Sequence, residues 1–323
     1  MKPKILGLHH DHIDGSKAVL GVLGDLYRLA YKEFPFASLD DWLRYFQNVH
    51  EDIVARFDTV TSVLQSQEAL ELLAYNYGRL RSEEGYVYVE GKFAPQYHIR
   101  GGLTIRVVVG AIYKGLRRAE GEFGIRIVPV ICIGREADPL VGMAIARVAC
   151  EYSGEMVLDL VCDEANHPPE KHLKAYQLTF GTKVRRDCHA GEWVSPEPRE
   201  TYKERLTQNI RTALFDLRCD GIGHAITLGE NPDLVSYVVD HGIRVAGCPL
   251  SNLRSNLIHS LGELRVDYLL DRGVIYTLNA DDDLFLPDMN TVIDECDAYY
   301  NFTENQCAAL QENVFRGALG RVV

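Results

Sequence analysis

The sequence predicts an α/β protein in which eight parallel strands close into a (β/α)8 TIM barrel. Eight short, largely apolar segments alternate along the chain with stretches whose apolar residues recur at helical spacing. Strands that are apolar on both faces are typical of a parallel sheet covered by helices on each side. Eight such units in 323 residues fit a closed barrel better than the alternative, an open doubly wound sheet.

The eight strands follow one another in chain order. The first is the apolar run that leads into His10 and His12, and the others are predicted at 86–95, 125–133, 156–161, 182–188, 221–226, 243–248 and 274–278. The helices after the later strands are predicted at 103–119, 139–152, from 168, at 198–217, 231–240, from 249 through 270, and at 289–319. The chain shows no linker or repeat, so residues 1–323 are expected to form a single domain.

The connection between the first two strands holds more helix than a simple connection needs. Residues 17–34 have apolar side chains at helical spacing, and a second helix is predicted to begin at Ser38, which two acidic residues follow. A third helix is predicted at 66–81, with Ser66 as its N-cap. We therefore expect extra helices inserted between strands 1 and 2.

The composition excludes several classes of partner. A formal net charge of −12 argues against nucleic acid or an anionic membrane, because both repel an acidic surface. No apolar run is long enough to span a bilayer, and no signal peptide begins the chain. The 8 cysteines form no Cys-x-x-Cys pair, which predicts free thiols and a cytoplasmic location. The oligomeric state is left open by the sequence.

The first strand ends in a group of polar residues. His10 and His12 are two residues apart, so their side chains project from the same side of a strand. Two neighbouring imidazoles suit a borderline transition metal such as zinc. Asp14 can face the same cavity, and Gly15 then lets the chain turn. The alternative interpretation is a polar loop with histidines present by chance.

Three further strand ends carry side chains suited to chemistry. Strand 5 ends at His189 and Glu192, strand 6 contains His224, and strand 8 ends at Asp281 and Asp282. Taken singly, His224 is typical of a core histidine, and the acidic run that begins at Asp281 is typical of a solvated turn or a helix N-cap. Because the strands of a barrel end on one rim, together they predict a site for a divalent ion with room for water. The predicted ligands are His10, His12, His189 and Asp281.

Two side chains beside this set are candidates for proton chemistry. A bound divalent ion lowers the pKa of water to about 7, which makes hydroxide available at neutral pH. His224 is placed to orient that hydroxide. Glu192 follows a predicted ligand by three residues across a glycine turn, so we expect it to shuttle a proton.

These motifs resemble those of a known family, in the same order and over nearly the whole chain. His10-Asp-His12-Ile-Asp14-Gly15 resembles the His-x-His-Leu-Asp-Gly motif of the adenosine deaminase family, within the metal-dependent amidohydrolases. The other matching motifs are Glu90-Gly-Lys-Phe-Ala-Pro95, Asp159-Leu-Val-Cys-Asp163-Glu164, His189-Ala-Gly-Glu192, Gly223-His224, Cys248-Pro-Leu-Ser-Asn252 and Leu278-Asn-Ala-Asp281-Asp282.

The resemblance implies a role for each matching residue. One zinc ion per chain would be held by the four predicted ligands named above, and His224 and Asp281 would position the attacking hydroxide. Glu192 would donate a proton to purine N1. The implied substrate contacts are Asp282 to purine N7, Asp14 to the ribose 5′-hydroxyl, and the backbone N–H of Cys162 to purine N3.

One helix resembles the apolar lid of the family. Trp42 and Phe46 lie four residues apart on one helical face in the second predicted helix. The resemblance implies that they cover the substrate, and ordinary core packing is the alternative.

Several positions depart from the family pattern without removing a predicted ligand or the proton shuttle. Cys162 stands where the family usually has glycine, and Lys92 replaces the usual arginine. The other departures are Ala225 for glycine, Asp283 for proline, and Lys17 for an apolar residue.

The expected function is zinc-dependent hydrolytic deamination of adenosine or 2′-deoxyadenosine, with a small aminopurine nucleoside as the partner. The alternatives are deamination of another 6-aminopurine, namely adenine, aminodeoxyfutalosine, an N6-substituted adenine or an adenine nucleotide, and a noncatalytic binding protein on an inherited barrel. Asp14 favours a nucleoside, because adenine-specific relatives tend to carry glutamate there. Lys17 favours a 5′-phosphate if it faces the substrate, and a solvated surface lysine is the preferred interpretation.

Overall fold

Parallel strands alternate with helices along the chain, as predicted. The structure is a computed structural model that describes residues 2–47, 53–152, 154–192 and 199–321. The strands are β1 (Gly7–His12), β2 (Tyr88–Phe93), β3 (Arg126–Gly134), β4 (Val157–Val161), β5 (Arg185–Arg186), β6 (His189–Ala190), β7 (Gly221–His224), β8 (Arg244–Gly247) and β9 (Ile275–Leu278). Every strand pairing is parallel, which confirms the predicted α/β class.

The strands pair in chain order within two sheets. One sheet runs β1-β2-β3-β4-β5 and the other runs β6-β7-β8-β9. A parallel bridge between Asp11 in β1 and Asp281, just after β9, joins the outer edges of the two sheets. At the other junction only Asp187 and Cys188 separate β5 from β6. A closed (β/α)8 barrel requires this strand order and a contact between its first and last strands. Because the paired strands are parallel, their carboxyl ends lie at the same edge.

Among the described residues, four α-helices lie between β1 and β2, which confirms the predicted insertion. The α-helices are α1 (Leu23–Leu29), α2 (Leu39–Gln47), α3 (Ile53–Thr61), α4 (Gln67–Glu83), α5 (Ile105–Phe123), α6 (Pro139–Glu151), α7 (Leu173–Gln177), α8 (Arg199–Phe215), α9 (Pro232–Asp240), α10 (Pro249–Arg254), α11 (Val266–Asp271), α12 (Met289–Tyr300) and α13 (Glu304–Arg316). The 3-10 turns are Lys17–Val22, Pro95–His98, Pro169–His172, Leu228–Glu230 and Leu261–Leu264. Within the described ranges, no helix combines the length and the apolar character needed to cross a membrane.

The predicted caps are present, although several helix boundaries differ. The hydroxyls of Ser38 and Ser66 accept bonds from backbone N–H groups three residues later, at 3.1 and 3.2 Å. The predicted helix at 17–34 begins as a 3-10 turn and ends at Leu29. The predicted helix at 289–319 is two helices, because Asn301 adopts a φ of 50° and breaks the run. The predicted helix start at Pro198 lies outside the described residues.

The predicted strand at 182–188 is wrong in its boundaries. The structure has only β5 and β6 there, with Asp187 and Cys188 between them. The Asp187 carboxylate is buried and accepts bonds from Lys92 and Arg244, at 2.8 and 2.5 Å. It also accepts from the N–H of Cys188 at 3.1 Å, so a local side-chain bond replaces a ladder bond.

A buried arginine connects β1 to the loop after β9. Arg81 in α4 donates to both oxygens of Asp11, at 2.8 and 2.7 Å, and to both oxygens of Asp283, at 3.1 and 2.8 Å. Asp283 also accepts from the N–H of Lys17 at 2.8 Å, and the Lys17 ammonium pairs with Glu84 at 2.7 Å. Two of the departures from the family pattern, Lys17 and Asp283, therefore belong to one ion network.

Replacing Arg81 with methionine should lower the free energy of unfolding by about 3–5 kcal/mol, because two buried carboxylates lose their counter-charge. Urea unfolding measures this change. Lys114→Met is the control, since Lys114 pairs with Glu71 while 71% of its side chain is exposed, and it should change stability by less than about 1 kcal/mol. Similar small losses in both variants would contradict the role assigned to Arg81.

Candidate active site

The pleat of β1 sorts its side chains into two groups. His10 and His12 point to the same side, where the His10 and His189 ring centroids are 4.1 Å apart. On this side the Nε2 atoms of His12 and His189 are 3.3 Å apart. His9 faces away and packs edge-on against Tyr88. The structure therefore brings the three predicted histidines together and leaves His9 outside the cluster.

The carboxylate of Asp281 completes this cluster. Its Oδ1 atom lies 3.6 Å from His10 Nε2 and 3.5 Å from His12 Nε2. Its Oδ2 atom accepts a bond of 2.7 Å from the hydroxyl of Ser251, which orients the carboxylate. Three imidazoles and one carboxylate thus meet from three different strand ends.

The protonation of the cluster suits a divalent metal ion. His10 is fully buried, and neither of its ring nitrogens has a hydrogen-bond partner among the described residues. Burial lowers the pKa of His10 far below its usual value and that of His12 to about 4. A metal ligand must be a neutral imidazole, so these residues fit zinc as a set of nitrogen and oxygen donors.

His189 is held in place by a buried carboxylate behind it. Its ring Nδ1 atom lies 3.0 Å from Asp159 Oδ2, and its backbone N–H donates to Asp159 Oδ1 at 3.1 Å. Asp159 also accepts a 2.6 Å bond from Lys92, which donates to Asp187 at 2.8 Å. Lys92 stands in place of the arginine usual in the family, and it still donates to both carboxylates.

Glu192 and His224 lie side by side. Glu192 Oε1 is 3.5 Å from His224 Nε2, and His224 Nδ1 is 2.8 Å from Asn252 Oδ1. The N–H of Glu192 donates to Glu164 at 2.9 Å, which anchors the loop. Burial raises the pKa of Glu192 although His224 opposes it, and the pKa of His224 is raised because Glu192 and Asp281 outweigh its burial. The pair is suited to holding and moving a proton.

Unusual backbone conformations aim several of these side chains. His224 and Asp281 have φ values of 59° and 70°, and Cys162 has a φ of 75°. This left-handed region is disfavoured for residues with a Cβ atom and recurs at functional sites. The strain lies at the ends of β4, β7 and β9, next to the cluster.

Asp14, Asp282 and Cys162 are the other residues that the resemblance assigned to substrate contacts. Asp14 is buried, and its Oδ2 atom is 3.2 Å from His98 Nε2. Asp282 lies beside Asp281, its Oδ1 atom has no partner among the described residues, and burial together with Asp281 raises its pKa well above the usual range. The thiol of Cys162 lies 3.3 Å from the hydroxyl of Tyr97.

Trp42 and Phe46 are not brought into contact with the cluster. Both are fully buried, with ring centroids 3.9 Å apart. Phe46 also packs 5.5 Å from Phe285, which follows Asp282 by three residues. The two side chains are packed as core, and Phe285 connects them to the loop that carries the acids.

Sequence reasoning missed several residues that support the site. Ser251, Asn252, Asp159 and Glu164 all lie in quoted motifs, and each hydrogen-bonds a predicted site residue. Their motif positions were a usable signal. His98 had none, because a single histidine after a proline has no distinguishing pattern.

A family model supplies the assignment. The model described as adenosine deaminase matches residues 3–320. The chain belongs to the adenosine deaminase family. It is 31% identical to an adenine deaminase of Schizosaccharomyces pombe over 76% of this chain and 63% of that protein. It is 27% identical to an adenosine deaminase of Enterococcus faecalis over 71% of this chain and 65% of that protein. The chain thus matches less than two thirds of either relative.

Solved structures share the fold. A crystal structure of an adenine deaminase from Arthrobacter aurescens aligns with a TM-score of 0.83 and 20% identity, covering 99% of this chain and 95% of that one. An amidohydrolase from Burkholderia ambifaria with bound Zn aligns with a TM-score of 0.81 and 22% identity, covering 99% and 86%. An N6-methyl-AMP deaminase from Arabidopsis thaliana aligns with a TM-score of 0.78 and 18% identity, covering 99% and 93%.

Proposed function

We propose that this family member is a zinc-dependent hydrolase that converts adenosine or 2′-deoxyadenosine to inosine or 2′-deoxyinosine and ammonia. The observation that carries the proposal is the meeting of His10, His12, His189 and Asp281 beside the Glu192–His224 pair. A metal site and a proton donor at adjoining positions are what hydrolytic deamination requires.

Four residues would hold one zinc ion per chain. They are His10, His12, His189 and Asp281, whose donor atoms lie near one another. Neither ring nitrogen of His10 has a hydrogen-bond partner among the described residues. When bound, the ion would supply hydroxide near neutral pH by lowering the pKa of water to about 7. A structural neighbour whose title includes bound Zn supports this choice of metal.

The surrounding side chains would handle the protons. Glu192 would donate a proton to purine N1 while the water oxygen bonds to C6, and His224 and Asp281 would orient that water. His224 would take one proton from the water and pass it to the amine, which leaves as ammonia when the C6–N bond breaks. The second proton of the water would return to Glu192 as the C6 carbonyl forms. A raised pKa favours the protonated form of Glu192, from which it would donate, and it strengthens His224 as a base.

The outer residues would orient the substrate. Asp282 would contact purine N7, and the N–H of Cys162 would meet N3. Burial raises the pKa of Asp14, but the bond and charge of His98 outweigh it, so the pKa lies below the usual value. Asp14 is therefore a carboxylate that can accept a bond from a 5′-hydroxyl. Trp42 and Phe46 would support the loop that carries Asp282 by packing near Phe285 in the core.

Adenine is the second candidate substrate, and the adenine deaminase that is 31% identical to this chain favours it. A 5′-nucleotide has less support, because the Lys17 ammonium is already paired with Glu84 and Asp283. Structural similarity to an N6-methyl-AMP deaminase keeps N6-substituted adenines among the candidate substrates. Aminodeoxyfutalosine is a further candidate. A noncatalytic binding protein would have no use for the Glu192–His224 pair.

Two further expectations belong to the proposal. The family match over residues 3–320 supports a single domain. None of the eight cysteines, all of which lie in the described ranges, forms a disulfide, and this supports a reducing compartment such as the cytoplasm.

Ammonia release from a panel of aminopurines tests the proposal directly. The purified protein loaded with one equivalent of zinc should deaminate adenosine and 2′-deoxyadenosine with a higher kcat/KM than adenine or AMP. The assay should include aminodeoxyfutalosine and N6-methyl-AMP. Faster turnover of adenine would replace the nucleoside proposal with the second candidate, and no turnover of any compound would refute both.

Glu192→Gln should retain zinc and fold but lose about 10²–10⁴-fold in kcat, because the proton donor is removed. Zinc content by elemental analysis and steady-state kinetics measure the two effects. His189→Ala is the matched comparison, since it should lose zinc and activity together. Nearly unchanged turnover by Glu192→Gln would remove this residue from the mechanism.

Asp14→Ala should lower kcat/KM for adenosine about ten- to a hundredfold, because a buried carboxylate no longer accepts the 5′-hydroxyl. Turnover of adenine, which has no 5′-hydroxyl, should change little. Both substrates are assayed with the same enzyme preparation. Equal losses on the two would show that Asp14 acts only on the structure of the turn.

A further inference from the structure

The 3-10 turn Pro95–His98 joins two sides of the candidate site. His98 reaches Asp14 in the loop after β1, at 3.2 Å. Its neighbour Tyr97 reaches Cys162 at the end of β4, at 3.3 Å. Gln65 anchors the turn by donating to the carbonyl of Tyr97 at 2.9 Å. The turn thus spans the interval between a residue assigned to purine N3 and one assigned to a 5′-hydroxyl.

Tyr97 is held from three consecutive strand ends. It follows β2, its hydroxyl donates to the carboxylate of Glu136 after β3, and the same hydroxyl contacts Cys162 after β4. Tyr97 and Cys162 are half-buried and Glu136 is exposed, so solvent reaches the cluster from the side of Glu136. Three separate segments therefore fix the phenol oxygen in one position.

The hydrogen-bond pattern leaves the phenol oxygen as an acceptor. A phenol carries one proton, and here Glu136 accepts it. Burial raises the pKa of Cys162 to about 12, so its thiol stays protonated and can donate weakly to the oxygen. One lone pair then remains for a hydrogen-bond donor from a ligand. Cys162 keeps this side chain despite a φ of 75°, which glycine would adopt without strain.

The chemistry of a purine nucleoside identifies that donor. N3 and N9 flank the same ring carbon, so a sugar on N9 lies beside whatever contacts N3. In the anti conformation the 2′ carbon lies on the N3 side of the base, and the 5′-hydroxyl lies further from N3 than the 2′ carbon does. A ligand with N3 at Cys162 and its 5′-hydroxyl at Asp14 would therefore bring its 2′ position to Tyr97.

We propose that Tyr97 is a specificity-determining residue, whose hydroxyl accepts a hydrogen bond from the 2′-hydroxyl of the substrate and makes the enzyme favour ribonucleosides over 2′-deoxyribonucleosides. Glu136 is a positioning residue that keeps the Tyr97 proton turned away from the sugar. This inference rests on the proposed deaminase function and narrows its substrate class.

Tyr97→Phe tests the assignment. The variant should lose about five- to thirtyfold in kcat/KM for adenosine, because the 2′-hydroxyl loses its acceptor. The values for 2′-deoxyadenosine and adenine should change by less than about twofold, since neither presents this donor. Isothermal titration calorimetry should show the same split between inosine and 2′-deoxyinosine, a readout that needs no turnover.

Tyr113→Phe is the matched control. Tyr113 on α5 also donates its hydroxyl to a glutamate, Glu155, but on the exposed outer surface. The Tyr113→Phe variant should leave kcat/KM unchanged for adenosine, 2′-deoxyadenosine and adenine. Equal losses by Tyr97→Phe on all three substrates, or no loss on adenosine, would overturn the role of Tyr97 while deaminase function stands. Failure of the wild-type enzyme to deaminate either nucleoside would overturn the proposed function and this inference together.

Discussion

The rest of the site depends on one constraint, which is the burial of five charged side chains in or directly after the strands. Glu90 and Lys92 in β2, Asp159 in β4, Asp187 after β5 and Arg244 in β8 are all fully buried. Such charges are tolerated only when paired, so the strands must keep the positions that pair them. Three carboxylates face two cations here, and Asp159, at one end of this chain of contacts, holds His189. The excess negative charge favours a cation beside that histidine.

A second ion network secures the opposite side of the site. Because side chains alternate along β1, His10 and His12 face the cluster while Asp11 faces Arg81. Arg81 also binds Asp283, two residues beyond Asp281. One guanidinium therefore fixes two of the three segments that contribute to the proposed metal site. Lys17 is drawn into the same network, because its ammonium pairs with Glu84 and Asp283.

Local patterns allowed much of the fold and of the candidate site to be predicted. The two-residue spacing of His10 and His12 indicated a shared direction, and apolar runs followed by polar residues indicated strand ends on one rim. Ser38 and Ser66 marked helix starts that the structure has. The short β5 and β6 could not be predicted this way. The N–H of Cys188 donates to the Asp187 carboxylate, and that carboxylate is held by partners 57 and 95 residues away.

The sequence by itself determined the element order, the parallel α/β class and the residue types available at each strand end, because these depend on periodicity and on neighbours along the chain. Only the tertiary structure decided which of those residues meet. Asp281 lies beside His10 and His12 through a bridge spanning 270 positions. Tyr97, Glu136 and Cys162 meet only because three consecutive strands end together. Side-chain contacts of this kind depend on distances in space, and no local pattern encodes them.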